Sequence, residues 1–190
     1  MKTARAMSSV WILLVVTSAT AAASAGGPAG AGTGDSSAAA DTGRAASSVT
    51  LPEIRDRAEN MPIDQRKEVD KRIGITVERV NKEATAKGQT MIAGRLSAEF
   101  GMSPDALLDQ KADHGLSFGE LVIAHTLLAN SNAGVTLVDL VDLRSGGLSW
   151  GAIAYGLKFH MEDFEDAIKA EGRVAMGLSK ADGKPAAIGR

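Results

Sequence analysis

Gly115-Leu116-Ser117-Phe118-Gly119 and Gly147-Leu148-Ser149-Trp150-Gly151 are near-copies of one five-residue pattern, and each reads as the joint between one helix and the next. The first Gly of each copy suits the C′ position, where the backbone enters the left-handed region that a residue without Cβ occupies cheaply. Leu116 and Leu148 follow as apolar residues that touch the helix being left and staple to the helix being entered. With Ser117 and Ser149 as N-caps, the staple partners at N4 are Leu121 and Ile153, both apolar. Glu120 at N3 completes a capping box in the first copy; Ala152 stands there in the second, which lacks that half. The copies lie about 32 residues apart, room for two helices and within the range of repeated supersecondary units. Leu121-Val122-Ile123-Ala124 then aligns with Ile153-Ala154-Tyr155-Gly156.

Cap signals and apolar spacing predict helices on both sides of the joints. Thr50-Leu51-Pro52-Glu53 has capping-box spacing with Pro in the first turn and opens a short helix to about Asn60. Met61-Pro62 interrupts it. A charged helix follows over 62–86, with Val69, Ile73, Val77, Val80 and Ala84 at three- and four-residue intervals. Glu68 with Arg72 and Glu78 with Lys82 are i,i+4 pairs of its solvated face, and Gly74 within it predicts a weak point. Thr90 is the predicted cap of the next helix, which shows Ile92, Leu96 and Phe100 on one face and stops at Gly101. Ser103-Pro104 starts another, with Leu107, Leu108 and Ala112 as its apolar side. Beyond Ser117 the apolar face is Leu121, Ala124, Leu127 and Leu128; the loop 130–134 closes that helix, and Thr136 with Asp139 caps the one after it. Ser149 opens a short helix to about Leu157, and Met161, Phe164, Ala167 and Ile168 mark a last one before Gly172. The expectation is an all-α fold of tandem helix-turn-helix-like pairs over 91–113, 117–145 and 149–172, with the charged helix 62–86 packed at one end. Residues 50–176 form the helical repeat domain and 177–190 a frayed, flexible tail.

The chain has 190 residues, no Cys, 44% hydrophobic and 4% aromatic residues. Met1-Lys2-Thr3-Ala4-Arg5, then Val10-Trp11-Ile12-Leu13-Leu14-Val15-Val16, then Ala23-Ser24-Ala25 have the basic start, short apolar core and small residues of a secretory signal cleaved after Ala25. The apolar core is shorter than the roughly 20 residues that span a bilayer, so no integral span is expected after cleavage. Residues 26–49 are Gly, Ala, Ser and Thr with almost no large apolar side chain, the composition of a disordered linker. Cleavage removes Lys2 and Arg5 and no acid, taking the formal charge from −2 to −4. A secreted or periplasmic, mildly acidic protein has no electrostatic affinity for nucleic acid or anionic lipid.

Ser97-Ala98-Glu99-Phe100-Gly101-Met102-Ser103 followed by Leu107 resembles the helix-turn-helix of bacterial regulators, which implies DNA binding. The helix that would enter the groove carries Asp105, Asp109 and Asp113 against Lys111 alone, the wrong sign for phosphates. A hydrolase would pair a Ser with one of His114, His125 and His160; a metal site could be drawn from His160, Glu162 and Asp163, without the same-face placement of zinc helices. Neither catalytic residue, cofactor nor metal is expected. Phe118, Trp150 and Tyr155 are the candidate partner contacts, since aromatics are enriched in binding hot spots. For Phe118 and Trp150 the competing and favoured role is packing against the neighbouring helix. Gly115, Ser117, Gly119, Gly147, Ser149 and Gly151 are the structural joints.

From about Ile92 to Leu157 the sequence resembles exported bacterial proteins of uncharacterised function that carry tandem Gly-x-Ser/Gly-Trp/Phe-Gly-Glu/x-Ile/Leu segments, most closely at Leu116-Ser117-Phe118-Gly119-Glu120-Leu121-Val122-Ile123-Ala124. That resemblance implies a helical exported protein and brings no catalytic residue with it. The reading is an exported, non-enzymatic helical interaction or structural module whose partner is another protein or a cell-envelope component. DNA binding is the alternative, and a Ser/His hydrolase ranks behind it.

Overall fold

The computed structural model describes residues 49–190; the expected signal over 1–25 and all but the last residue of the expected linker over 26–49 lie outside the described residues. Among the described residues the fold is all-α, with eight helices: α1 (Leu51–Glu59), α2 (Ile63–Lys87), α3 (Gln89–Phe100), α4 (Pro104–Asp113), α5 (Phe118–Asn130), α6 (Leu137–Ser145), α7 (Trp150–Gly156) and α8 (Met161–Ala175). None is long and apolar enough to cross a membrane.

Local chemistry sets most boundaries. The Thr50 N–H donates to Glu53 Oε2 at 2.9 Å to open α1, and the Arg66 guanidinium reaches back to the Ala58, Glu59 and Met61 carbonyls beyond its end. Orphan carbonyls at a helix C-terminus take such a cation readily. Thr90 does not cap α3 as predicted. Gly88, with φ +94, stands at the cap instead, so α2 turns directly into α3 and Thr90 falls in its first turn. Gly101 ends α3 with φ +66, the Met102 N–H donating to Ser97 O at 3.1 Å. Ser103 caps α4, Ser117 and Glu120 form the capping box of α5, Thr136 and Asp139 that of α6, and Ser149 caps α7.

Helix α2 has the apolar stripe its spacing predicts, with Val69, Ile73, Val80 and Ala84 buried, joined by Thr76. Its place in the fold differs from expectation. It does not lie at one end: it packs against α3, α5, α7 and α8. At 1.5 Å per residue its 25 residues reach about 38 Å, long enough to touch one member of every predicted pair. The pairs also close on each other, since α3 and α5 both pack on α8 and α1 packs on α7. In a linear stack each unit would meet only its neighbours.

Helix α5 is buried on every side, from Phe118 to Leu127 with only Glu120 excepted, instead of showing the single face predicted. Its sequence carries no other charge, and a helix apolar all round belongs inside a core. Ala112 of α4 is exposed, leaving Leu107 as the one fully buried residue of that helix. Helix α8 does not stop before Gly172. It runs through to Ala175, and Gly172 is where Thr76 of α2 approaches its backbone; Gly177, with φ +72, ends it, and the Leu178 N–H donates to Arg173 O at 2.8 Å.

Gly74 lies exposed inside the unbroken α2, and a Cβ there would meet nothing within 4 Å. Gly74→Ala is therefore expected to stabilise the fold by about 1 kcal/mol, through helix propensity and a less flexible unfolded chain. A urea melt measures it; a loss of stability would mean that α2 needs to bend.

Candidate functional site

The two joints have the same geometry. Gly115 and Gly147 are left-handed, with φ +64 and +95. The Leu116 N–H donates to Lys111 O at 3.0 Å and the Leu148 N–H to Leu143 O at 3.3 Å, the long bond of a Schellman turn in each case. The Ser117 hydroxyl accepts the Glu120 N–H at 3.3 Å, and the Ser149 hydroxyl accepts the Ala152 N–H at 3.2 Å.

The second glycine of each pattern has a different task. The free N–H of Gly119 donates to Asn81 Oδ1 at 2.9 Å, and that of Gly151 donates to Asp70 Oδ1 at 3.1 Å. Both acceptors are on α2, eleven residues or about three turns apart, on the flank of its buried stripe. They satisfy donors that a helix start leaves unpaired, and the Asp70 carboxylate also faces the positive end of α7. A Cβ on Gly119 would lie 2.6 Å from Val77 Cα and 2.8 Å from Val77 O; one on Gly151 would lie 2.8 Å from Asp70 Oδ1. The glycines mark the points where α5 and α7 come onto α2. Glu120 ties one joint to the other, accepting from the Trp150 indole Nε1 at 3.4 Å with Arg144 Nε at 3.9 Å.

Of the candidate partner contacts, Phe118 is 2% exposed and Trp150 is 5% exposed. They are core side chains, which corrects the anchor role in favour of the packing role. Lys111, the lone cation of α4, has its ammonium 5.6 Å from the Phe118 ring centroid. Tyr155 is half-buried and lines a shallow cleft with Gln65, Phe159 and His160. The histidines do not meet. His125 stacks on Phe100 with its Nε2 2.8 Å from Gln110 Oε1, and burial pushes its pKa down. His160 precedes α8 with Nδ1 3.7 Å from Asp163 Oδ2, and His114 ends α4. Among the described residues no serine hydroxyl bonds a histidine.

The expected frayed tail is the largest correction. Residues 178–190 lie in a groove formed by α3, α8 and the end of α5. Glu99 Oε2 accepts the Asp182 N–H at 3.0 Å, and Glu171 Oε1 accepts the Ala186 N–H at 2.6 Å. The Asn130 side chain works in both directions, Nδ2 donating to Ala186 O and Oδ1 accepting from the Ile188 N–H, each at 2.9 Å. Ile188 is buried, the His160 N–H donates to Gly189 O at 2.9 Å, and the Arg190 guanidinium lies 5.2 Å from the Phe159 ring centroid. Glu99 and Glu171 had no sequence signal beyond being polar inside otherwise apolar faces, and Asn130 read only as part of the loop that closes its helix.

Glu171 is 2% exposed, and its Oε2 has no partner. Burial, with the Glu99 and Asp182 carboxylates nearby, pushes its pKa up from 4.5 to about 7 despite the Ala186 N–H. The folded chain thus keeps this proton to higher pH than the unfolded one. Its stabilising contribution is fully present below pH 4.5 and is lost as pH rises to about 7. Glu171→Gln cannot ionise, so in urea melts it is expected to gain stability relative to wild type across that window. Parallel curves for the two proteins would show that Glu171 is ionised throughout.

The fold and joints define an all-α protein in which Asp70, Asn81, Glu99, Asn130 and Glu171 hold main chain. No protein-family model matches the chain, and neither a curated protein nor a solved structure matches it.

Proposed function

We propose that this chain is an exported, non-enzymatic helical module that binds another protein or an envelope component. One observation carries the reading. Asp70, Asn81, Glu99, Glu171 and Asn130 each accept a main-chain N–H from a distant segment, while buried Glu165 pairs with Arg72 and buried His125 with Gln110. Such groups hold backbone in place and have no reacting partner. Export rests on the basic, apolar and small-residue order of residues 1–25. Charge argues against DNA binding, because Asp105, Asp109 and Asp113 face solvent on α4 while Lys111 lies over Phe118. Crosslinking in intact cells followed by mass spectrometry tests the binding role, and recovery of no partner at native expression would defeat it. The intact mass of the natural protein tests export: residues 1–25 are expected to be missing.

A further inference from the structure

We propose that the groove between α3, α8 and the end of α5 is a peptide-recognition site. The chain's own segment 178–190 fills it here, and a partner polypeptide with an extended Ala-x-Ile-x-Arg segment takes the same place. The contacts in the groove are those of peptide recognition. Five of them read main chain only: Asp182 N–H, Ala186 N–H, Ala186 O, Ile188 N–H and Gly189 O. Asn130 engages residues 186 and 188 as an edge strand would, with one donor and one acceptor two residues apart. Ala186 and Ile188 turn inward while Ala187 and Gly189 stay exposed, the alternation of an extended chain. Selectivity comes from two side chains. Ile188 enters the core, and Arg190 donates to Asn130 O at 2.6 Å while lying over the Phe159 ring.

None of these contacts requires the segment to be joined to α8. The connection from Ala175 to Asp182 is short and is held to α8 by the Leu178 and Ser179 N–H groups on Arg173 O, so the tethered copy competes at high effective concentration and a peptide added in trans is outcompeted until that copy is weakened. Glu171 leaves one buried oxygen without a partner even in the filled groove, so the tethered segment does not satisfy the site completely.

The test uses the full chain and a fluorescent peptide of residues 178–190. Ile188→Asp in the chain releases its own segment, and the folded variant is expected to bind the peptide at least about tenfold more tightly than wild type does, the scale of one buried aliphatic side chain. A peptide carrying the same Ile-to-Asp change is expected to bind neither protein. Ala186→Pro is the second variant, since it removes the N–H held by Glu171. Folded variants that capture no more peptide than wild type would overturn the proposal, as would loss of the whole fold in both, which would make the segment an inseparable part of the core. Light scattering is expected to find the wild-type chain monomeric; a dimer with exchanged segments would make a second copy the occupant and end the case for a separate partner. The inference deepens the interaction-module reading and rests on it. A groove that binds peptide in a chain that crosslinks to nothing in cells would end that reading alone, while crosslinked partners with no peptide binding would end only the groove.

Discussion

Gly119→Ala is expected to cost the fold about 3 kcal/mol and lower its Tm by roughly 10 °C. The added Cβ would sit 2.6 Å from Val77 Cα and 2.8 Å from Val77 O, and those are backbone atoms of a 25-residue helix that cannot swing aside. Either α5 moves off α2 or the start of α5 unwinds. Both routes also stretch the bond from the Gly119 N–H to Asn81, so a lost hydrogen bond of about 1 kcal/mol adds to the overpacking. Gly151→Ala should be milder, because the nearest atom it meets, Asp70 Oδ1, ends a half-buried side chain that can shift, although buried Val69 Cγ1 at 2.9 Å cannot. Thermal unfolding of both variants beside Gly74→Ala makes the comparison internal. A Gly119→Ala protein as stable as wild type would show that the close approach of α5 to α2 is not what the residue is for.

Phe118→Ala is expected to destabilise by about 3 to 5 kcal/mol, as removal of a ring from a closed core does when its neighbours cannot collapse into the gap. Phe118 is the first residue of α5, 2% exposed and with the Lys111 ammonium 5.6 Å from its ring centroid, so the cavity opens at the joint itself. Trp150→Ala should lose a similar amount and also leave Glu120 without its indole donor. Tyr155→Ala, at a half-buried position, should lose less. Urea unfolding separates packing from an anchor role: a stable Phe118→Ala chain that loses its crosslinked partner would restore the anchor reading.

The joints were legible because a left-handed glycine, an apolar staple and a serine cap act over a few residues of chain. The same holds for Thr50, Ser103 and Thr136, whose partners lie three residues away. Thr90 misled because it has the chemistry of a cap, while Gly88 already supplied the turn that made a cap there unnecessary. Gly172 misled in the opposite way: glycine before a tail reads as a stop, yet here it is an interior approach point for Thr76. Asp70 and Asn81 carried no signal in the sequence, since nothing local distinguishes an acceptor aimed at another helix from one aimed at water. Segment 177–190 read as frayed because it holds Gly, Pro and scattered Lys; one buried Ile188 and a set of main-chain bonds hold it instead.

Taken alone, the order of residues determined that this chain is helical, where most of its rods begin and end, and which side chains close each turn, because those choices are settled between atoms a few residues apart. Which helix lies at the centre, what receives the Gly119 and Gly151 amides, and where residues 178–190 come to rest were decided only in three dimensions. Those contacts join positions 38, 81 and up to 83 residues apart, and a donor at a helix start is indifferent to which distant acceptor satisfies it until packing brings one within reach.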